Sequence, residues 1–173
     1  QPSIDLAPTL LNFFGQEPTK DMTGKDLSGV IADDTPVRDA AIFGMHGAHV
    51  NITDGRYVYM RAPQNPDNKP LYQYTLMPTH MRASFAVEDF VDLQTAEPFS
   101  FQKGAKTMKI ENVTWVARDR QFDTMLWDTA ADPNQEHAMI DTGIENRLKI
   151  RMVELMKDVD TPLEQFERLD LDP

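Results

Sequence analysis

"AAIFGMHGAHVNITDGRYVYMRAP", residues 40–63, marks this chain as one built around antiparallel strands. It holds two β-prone runs, near 40–52 and 56–61, joined by Asp54-Gly55, a dipeptide favoured in tight hairpin turns. In the second run Tyr57 and Tyr59 share one face while Arg56, Val58 and Met60 share the other, so neither face is purely polar. The alternation predicts a hairpin inside a sheet covered on one side.

Downstream, "LYQYTLMP" (71–78) and "FDTMLWDT" (122–129) read as further strands, the second stopped by the turn in "AADPNQEH". Between them, "HMRASFAVEDFVDLQ" (80–94) reads as a short helix and "TAEPFSFQKGAK" (95–106) as a loop. The last long element is helical. Ile144, Leu148, Met152, Leu155 and Val159 recur at helical spacing up to Pro162, behind a capping box of Thr142 and Glu145. Ile144, Leu148, Met152 and Leu155 are expected to be buried against strands near 57–60 and 124–127. A second box, Thr161 with Glu164, opens a short final helix bearing Leu163, Phe166 and Leu169.

Upstream, "SIDLAPTLLNFFG" (3–15) has Ser3 or Asp5 as a cap and Gly15 as the closing residue. Its Ile4, Leu6, Leu10, Leu11 and Phe14 form an apolar stripe that needs a partner surface. A polar connector follows, with one short helix capped at Asp26. The expected architecture is α+β: a small antiparallel sheet packed against a long C-terminal helix, preceded by a separate helix.

Composition narrows the chemistry. With 173 residues the chain is near the size of one domain, and the absence of cysteine excludes disulfides, thiolate catalysis and thiolate metal sites. A formal net charge of -11, with 17 Lys plus Arg, argues against nucleic acid or an anionic membrane surface as partner. No apolar run approaches the ~20 residues of a membrane span.

No catalytic constellation emerges. The four histidines are His46, His49, His80 and His137. On an ideal strand His46 and His49 point to opposite faces, so joint metal ligation would need a bulge at Gly47. Gly44 and Gly47 let a ligand approach the backbone closely, and imidazole can donate to an anion, which makes His46 and His49 the candidate substrate-binding residues. "DTPVR" (34–38) has no Ser or Cys in first place and offers no nucleophile. Asp33 and Asp34 read as a solvated pair, and Asp132 as the cap of the turn begun by Pro133, with Asp128 and Glu136 beside it.

Several segments together resemble the sulfatase family of the alkaline phosphatase superfamily. "SIDLAPTLLNFFG" followed by "MTGKDLSGVI" is similar to an Asp-Leu-x-Pro-Thr-Leu-Leu helix and Gly-x-Ser-Leu turn of that family. "LWDTAADPNQEHAM" resembles its Leu-Tyr-Asp-Leu pattern with Asp-Pro downstream, "TDGRYVYMR" its intervening strand, and "DTPLEQFERLDL" the tail of one bacterial branch. Asp26, Trp127 and Ala138 depart from the usual serine, tyrosine and asparagine. The resemblance implies that residues 1–36 are the last helix and connector of an α/β catalytic domain, and 37–173 a C-terminal subdomain forming a wall of the substrate cleft. It also implies a sulfuric ester hydrolase acting on a sulfated small molecule or glycan, with calcium or another divalent metal and a formylglycine made within Cys/Ser-x-Pro-x-Arg. Neither the nucleophile motif nor the metal-binding segments occur in these residues, so the chain alone is expected to be inactive and to need the catalytic domain. The alternatives are the tail of a phosphonate or phosphodiester hydrolase of the same superfamily and a non-catalytic binding domain.

Overall fold

In the computed structural model the described residues are 2–79, 83–111 and 122–173, and they form two compact units, 1–41 and 42–173. The fold is α+β, with two antiparallel sheets where the sequence predicts one.

The first unit contains α1 (Pro2–Phe13) and α2 (Ser28–Asp33). α1 closes in a Schellman motif: Gln16 N donates to Leu11 O at 2.8 Å and Gly15 N to Asn12 O at 3.0 Å, with Gly15 at φ +65°. The helix starts at Pro2, so Asp5 lies within it and does not cap it. Its buried carboxylate instead accepts two 2.6 Å bonds from the Arg38 guanidinium and one of 2.8 Å from Lys25 N. Pro8, inside the helix, has no N–H to offer the Ile4 carbonyl. That carbonyl faces Gly24, where an added Cβ would come within 1.9 Å of the oxygen. Asp26 stands one residue before the α2 cap, Leu27, and accepts from both Ser28 N and Ser28 Oγ.

The first sheet of the second unit runs β1-β2-β3-β7, with β1 Ala41–Gly44, β2 Val50–Thr53, β3 Tyr57–Arg61 and β7 Met125–Asp128. β2 and β3 form the expected hairpin. Asp54 Oδ1 accepts from Arg56 N and Tyr57 N, which folds the turn back through Gly55 at φ +93°. Register places Ile52 opposite Tyr59 and Tyr59 opposite Leu126, a continuous buried row across three strands. Val58 and Trp127, paired on the other face, are buried too, so β3 has apolar contacts on both sides.

α3 (Thr142–Asp158) packs on β2 and β3. Arg147 reaches the hairpin turn, with Nη2 2.7 Å from Asp54 Oδ2 and its guanidinium 5.9 Å from the Tyr57 ring centre. The buried stripe is Leu148, Met152 and Met156. Ile144 and Leu155 are only half-buried and Val159 is exposed, because the stripe continues through Met156, one position after Leu155. Asp141, not Thr142, is the cap, accepting from Ile144 N at 3.0 Å.

The second sheet, β4-β6-β5, comprises β4 Tyr72–Thr75, β5 Gln94–Ala96 and β6 Thr107–Glu111. β5 lies at the seam between the segments read as helix and loop, and β6 just beyond that loop. Within 83–94 the predicted helix is a single 3-10 turn, Val87–Phe90; residues 80–82, including His80, lie outside the described residues. β6, central in its sheet, carries Lys109 with Nζ 4.1 Å from the Tyr72 ring centre and 3.3 Å from Glu164 Oε1. Glu164 also accepts from the Tyr74 hydroxyl. It therefore ties the sheet to α4 (Leu163–Leu169) and is not the reciprocal half of a capping box. α4 buries Phe166 and Leu169 while Leu163 is exposed.

Leu148→Ala should cost about 2–5 kcal/mol in urea unfolding, whereas Ile150→Ala, at a side chain 61% exposed, should be near neutral. In the first unit, the Arg38 guanidinium beside Asp5 pulls its carboxyl pKa from 3.8 to about 2. The pair therefore contributes stability above about pH 4 that is lost as pH falls through about 2. Hydrogen exchange of α1 amides should speed up over that window. Asp5→Asn should remove the dependence, and Gly24→Ala should accelerate exchange at every pH.

Candidate functional site

The β1–β2 connection, residues 45–49, is a tight loop in which His46 and His49 sit off any strand. Two glycines shape it. An added Cβ at Gly44 would lie 2.6 Å from His49 O, so what this glycine admits is the carbonyl of its own chain and not a ligand. Gly47 turns at φ +78°, and its carbonyl accepts from Asn68 Nδ2 at 2.7 Å. This curl, rather than a strand bulge, brings both histidines to the wall of one pocket of about 320 Å³.

The two imidazoles have different surroundings. His49 is buried, with its ring edge-on to Phe122 and Nε2 2.8 Å from the Asp123 carbonyl. A carbonyl can only accept, so Nε2 carries the proton and the ring is held in place. His46 is exposed at the pocket. Desolvation by neighbouring groups, and then the positive charge of Arg168, hold its pKa below the ordinary 6.5.

Arg168 is the residue the sequence reading missed. It comes from α4, is 2% exposed and lines the pocket with Gln165. Its Nε donates to Gln165 Oε1 at 3.0 Å, and Nη1 donates to Asn68 Oδ1 at 2.8 Å and Ala48 O at 3.2 Å. Among the described residues these acceptors are all neutral and none meets Nη2. Burial alone lowers the guanidinium pKa to about 10. Ile42, Phe43, Met45 and Val50 supply apolar wall. The arrangement can hold and orient an anion; among the described residues its lining contains no Ser, Thr, Cys or Lys side chain to act as a nucleophile.

The other acidic candidates are absorbed by structure. Asp33 accepts from Thr35 N and Oγ1, and Asp34 closes α2 in the left-handed conformation. Asp128 pairs with Arg56 at 2.7 Å, and Asp132 accepts from His137 N at 2.8 Å. Among the described residues no three His, Asp or Glu side chains converge on a point that could hold a metal. These residues do not fit the divalent metal that the resemblance implies. The sequence likewise lacks a Cys/Ser-x-Pro-x-Arg motif to carry formylglycine. No family model matches the chain, and a search of curated proteins finds no match.

Because His46 has a lowered pKa, it contributes stability fully present above about pH 6.5 and lost as pH falls through its folded value. An NMR titration should place its imidazole below 6.5, and His46→Gln should flatten stability against pH in that range.

Proposed function

We propose that this chain is the C-terminal portion of a sulfatase, a sulfuric ester hydrolase of the alkaline phosphatase superfamily. In this reading α1 and its connector belong with an α/β catalytic domain, and the sheets with α3 form the smaller subdomain that walls the cleft for a sulfated small molecule or glycan. Nucleophile and divalent metal would come from the catalytic domain. The motif series along the chain supports the reading, as does an antiparallel sheet under a long helix.

The observation that carries it is the packing of α1. Its hydrogen bonds within the first unit join Asp5 to Arg38 and Lys25 N, Thr9 Oγ1 to Leu27 N, and Asn12 Nδ2 to Asp26. Meanwhile Ile4, Leu6, Leu10, Phe13 and Phe14 are 48–78% exposed. An apolar face of this kind is unfavourable in water by roughly 25 cal/mol per Å² and suits a helix made to cover another surface.

Two measurements test this. The 173-residue chain should not turn over an aryl sulfate with or without calcium, while the longer protein should do so in a chelator-sensitive way. Leu10→Asp should change the stability of the chain by less than about 1 kcal/mol yet clearly destabilise the longer protein. Multiple turnovers by the homogeneous chain, or hydrolysis of phosphodiesters but not sulfates by the longer protein, would overturn the reading.

A further inference from the structure

We propose that the pocket under the β1–β2 loop binds a small organic anion, an oxyanion carried on an apolar body, with Arg168 as its ionic anchor. This goes beyond the sulfatase reading and needs no residue outside 42–168.

Three observations carry it. First, a guanidinium that is 2% exposed has given its Nε and Nη1 donors to neutral oxygens, and among the described residues no acceptor meets Nη2. Burying a cation is costly unless an anion answers it, so the charge remains available to a ligand that reaches it. Second, the chain has 28 Asp plus Glu, yet among the described residues none lines this pocket. Among the described residues the polar side chains that the lining adds are those of His46, His49 and Gln165, imidazole and amide groups. Third, Phe43 and Met45, 42% and 60% exposed, give the pocket an apolar side, which a hydrated inorganic ion could not use. With Nε and Nη1 engaged, the N–H groups of Nη2 are left to donate to an oxygen of a sulfate, phosphate or carboxylate, so the shared chemistry is an oxyanion held at one nitrogen.

The test titrates the 173-residue chain, by NMR of His46 and Arg168 side chains and by calorimetry, with phenyl sulfate, phenyl phosphate, benzoate, inorganic sulfate and benzyl alcohol. The aryl anions should give saturable shifts at both residues with dissociation constants of about 1 mM or tighter. Inorganic sulfate should bind about tenfold more weakly, having no ring to bury. The neutral alcohol should not bind. Arg168→Met should abolish binding, but a change at a buried site can unfold the protein. Met45→Glu provides the second variant: at an exposed position it brings a carboxylate into the pocket and should weaken aryl anions about tenfold or more with an unchanged circular dichroism spectrum. The proposal is overturned if no aryl anion saturates by about 10 mM, if benzyl alcohol binds as well as benzoate, or if folded Met45→Glu binds as the parent does. None of these outcomes touches the turnover of the longer protein, so this proposal and the sulfatase reading fail separately.

Discussion

The second unit is organised around one buried charge. The Arg168 guanidinium connects three segments far apart in sequence: the last turn of α4, the loop after β1 through the Ala48 carbonyl, and the 65–70 turn through Asn68. Desolvating a cation opposes this by several kcal/mol. Charge-assisted bonds to oxygens and a place at the C-terminal end of a short helix offset it. The backbone around it is secured in turn, since Gln64 N donates to Arg168 O and Arg61 Nε to Leu169 O, 2.9 and 2.7 Å. β3, whose last residue is Arg61, thus holds the end of α4, and α4 holds the pocket loop.

What was legible in the sequence follows the size of the apolar signal. Tyr57, Val58 and Tyr59 alternate strongly, and β3 is central in its sheet; Leu148 and Met152 are a full turn apart and are the core of α3. β6 was illegible because a central strand reading "TMKIE" hides a lysine whose stem and ammonium lie against tyrosine rings. β5, with the exposed Gln94 and Thr95, has too little apolar content to announce itself. The caps failed for another reason. Asp5 and Glu164 fit local patterns, but each carboxylate has a competing partner, Arg38 and Lys109, beyond any local window, while Thr142 yields the cap to Asp141 one residue before it.

The candidate site was legible by half. His46 and His49 stood out as rare residues between glycines, and the structure brings them to one pocket by the curl at Gly47. Arg168 gave no such signal, because an arginine beside Leu169 on an amphipathic helix reads as part of the solvated face. Only the positions of Asn68 and Ala48, 100 and 120 residues away, turn it inward.

An anion pocket on a chain of net charge -11 is not a contradiction. At physiological ionic strength, charges more than about 8 Å apart across water are largely screened, so surface carboxylates set the far field and the lining sets the near field. Carboxylates that are more covered are paired with a cation: Asp5 with Arg38, Asp54 with Arg147, Asp128 with Arg56 and Glu164 with Lys109. Among the described residues Arg168 has no such pairing, and its low-dielectric setting strengthens its field over the few ångströms that matter for binding. The acidic surface then acts on encounter rather than on the bound state: it slows approach of anions at low salt and disfavours large polyanions, leaving a small anion with an apolar body as the ligand that both fields accept.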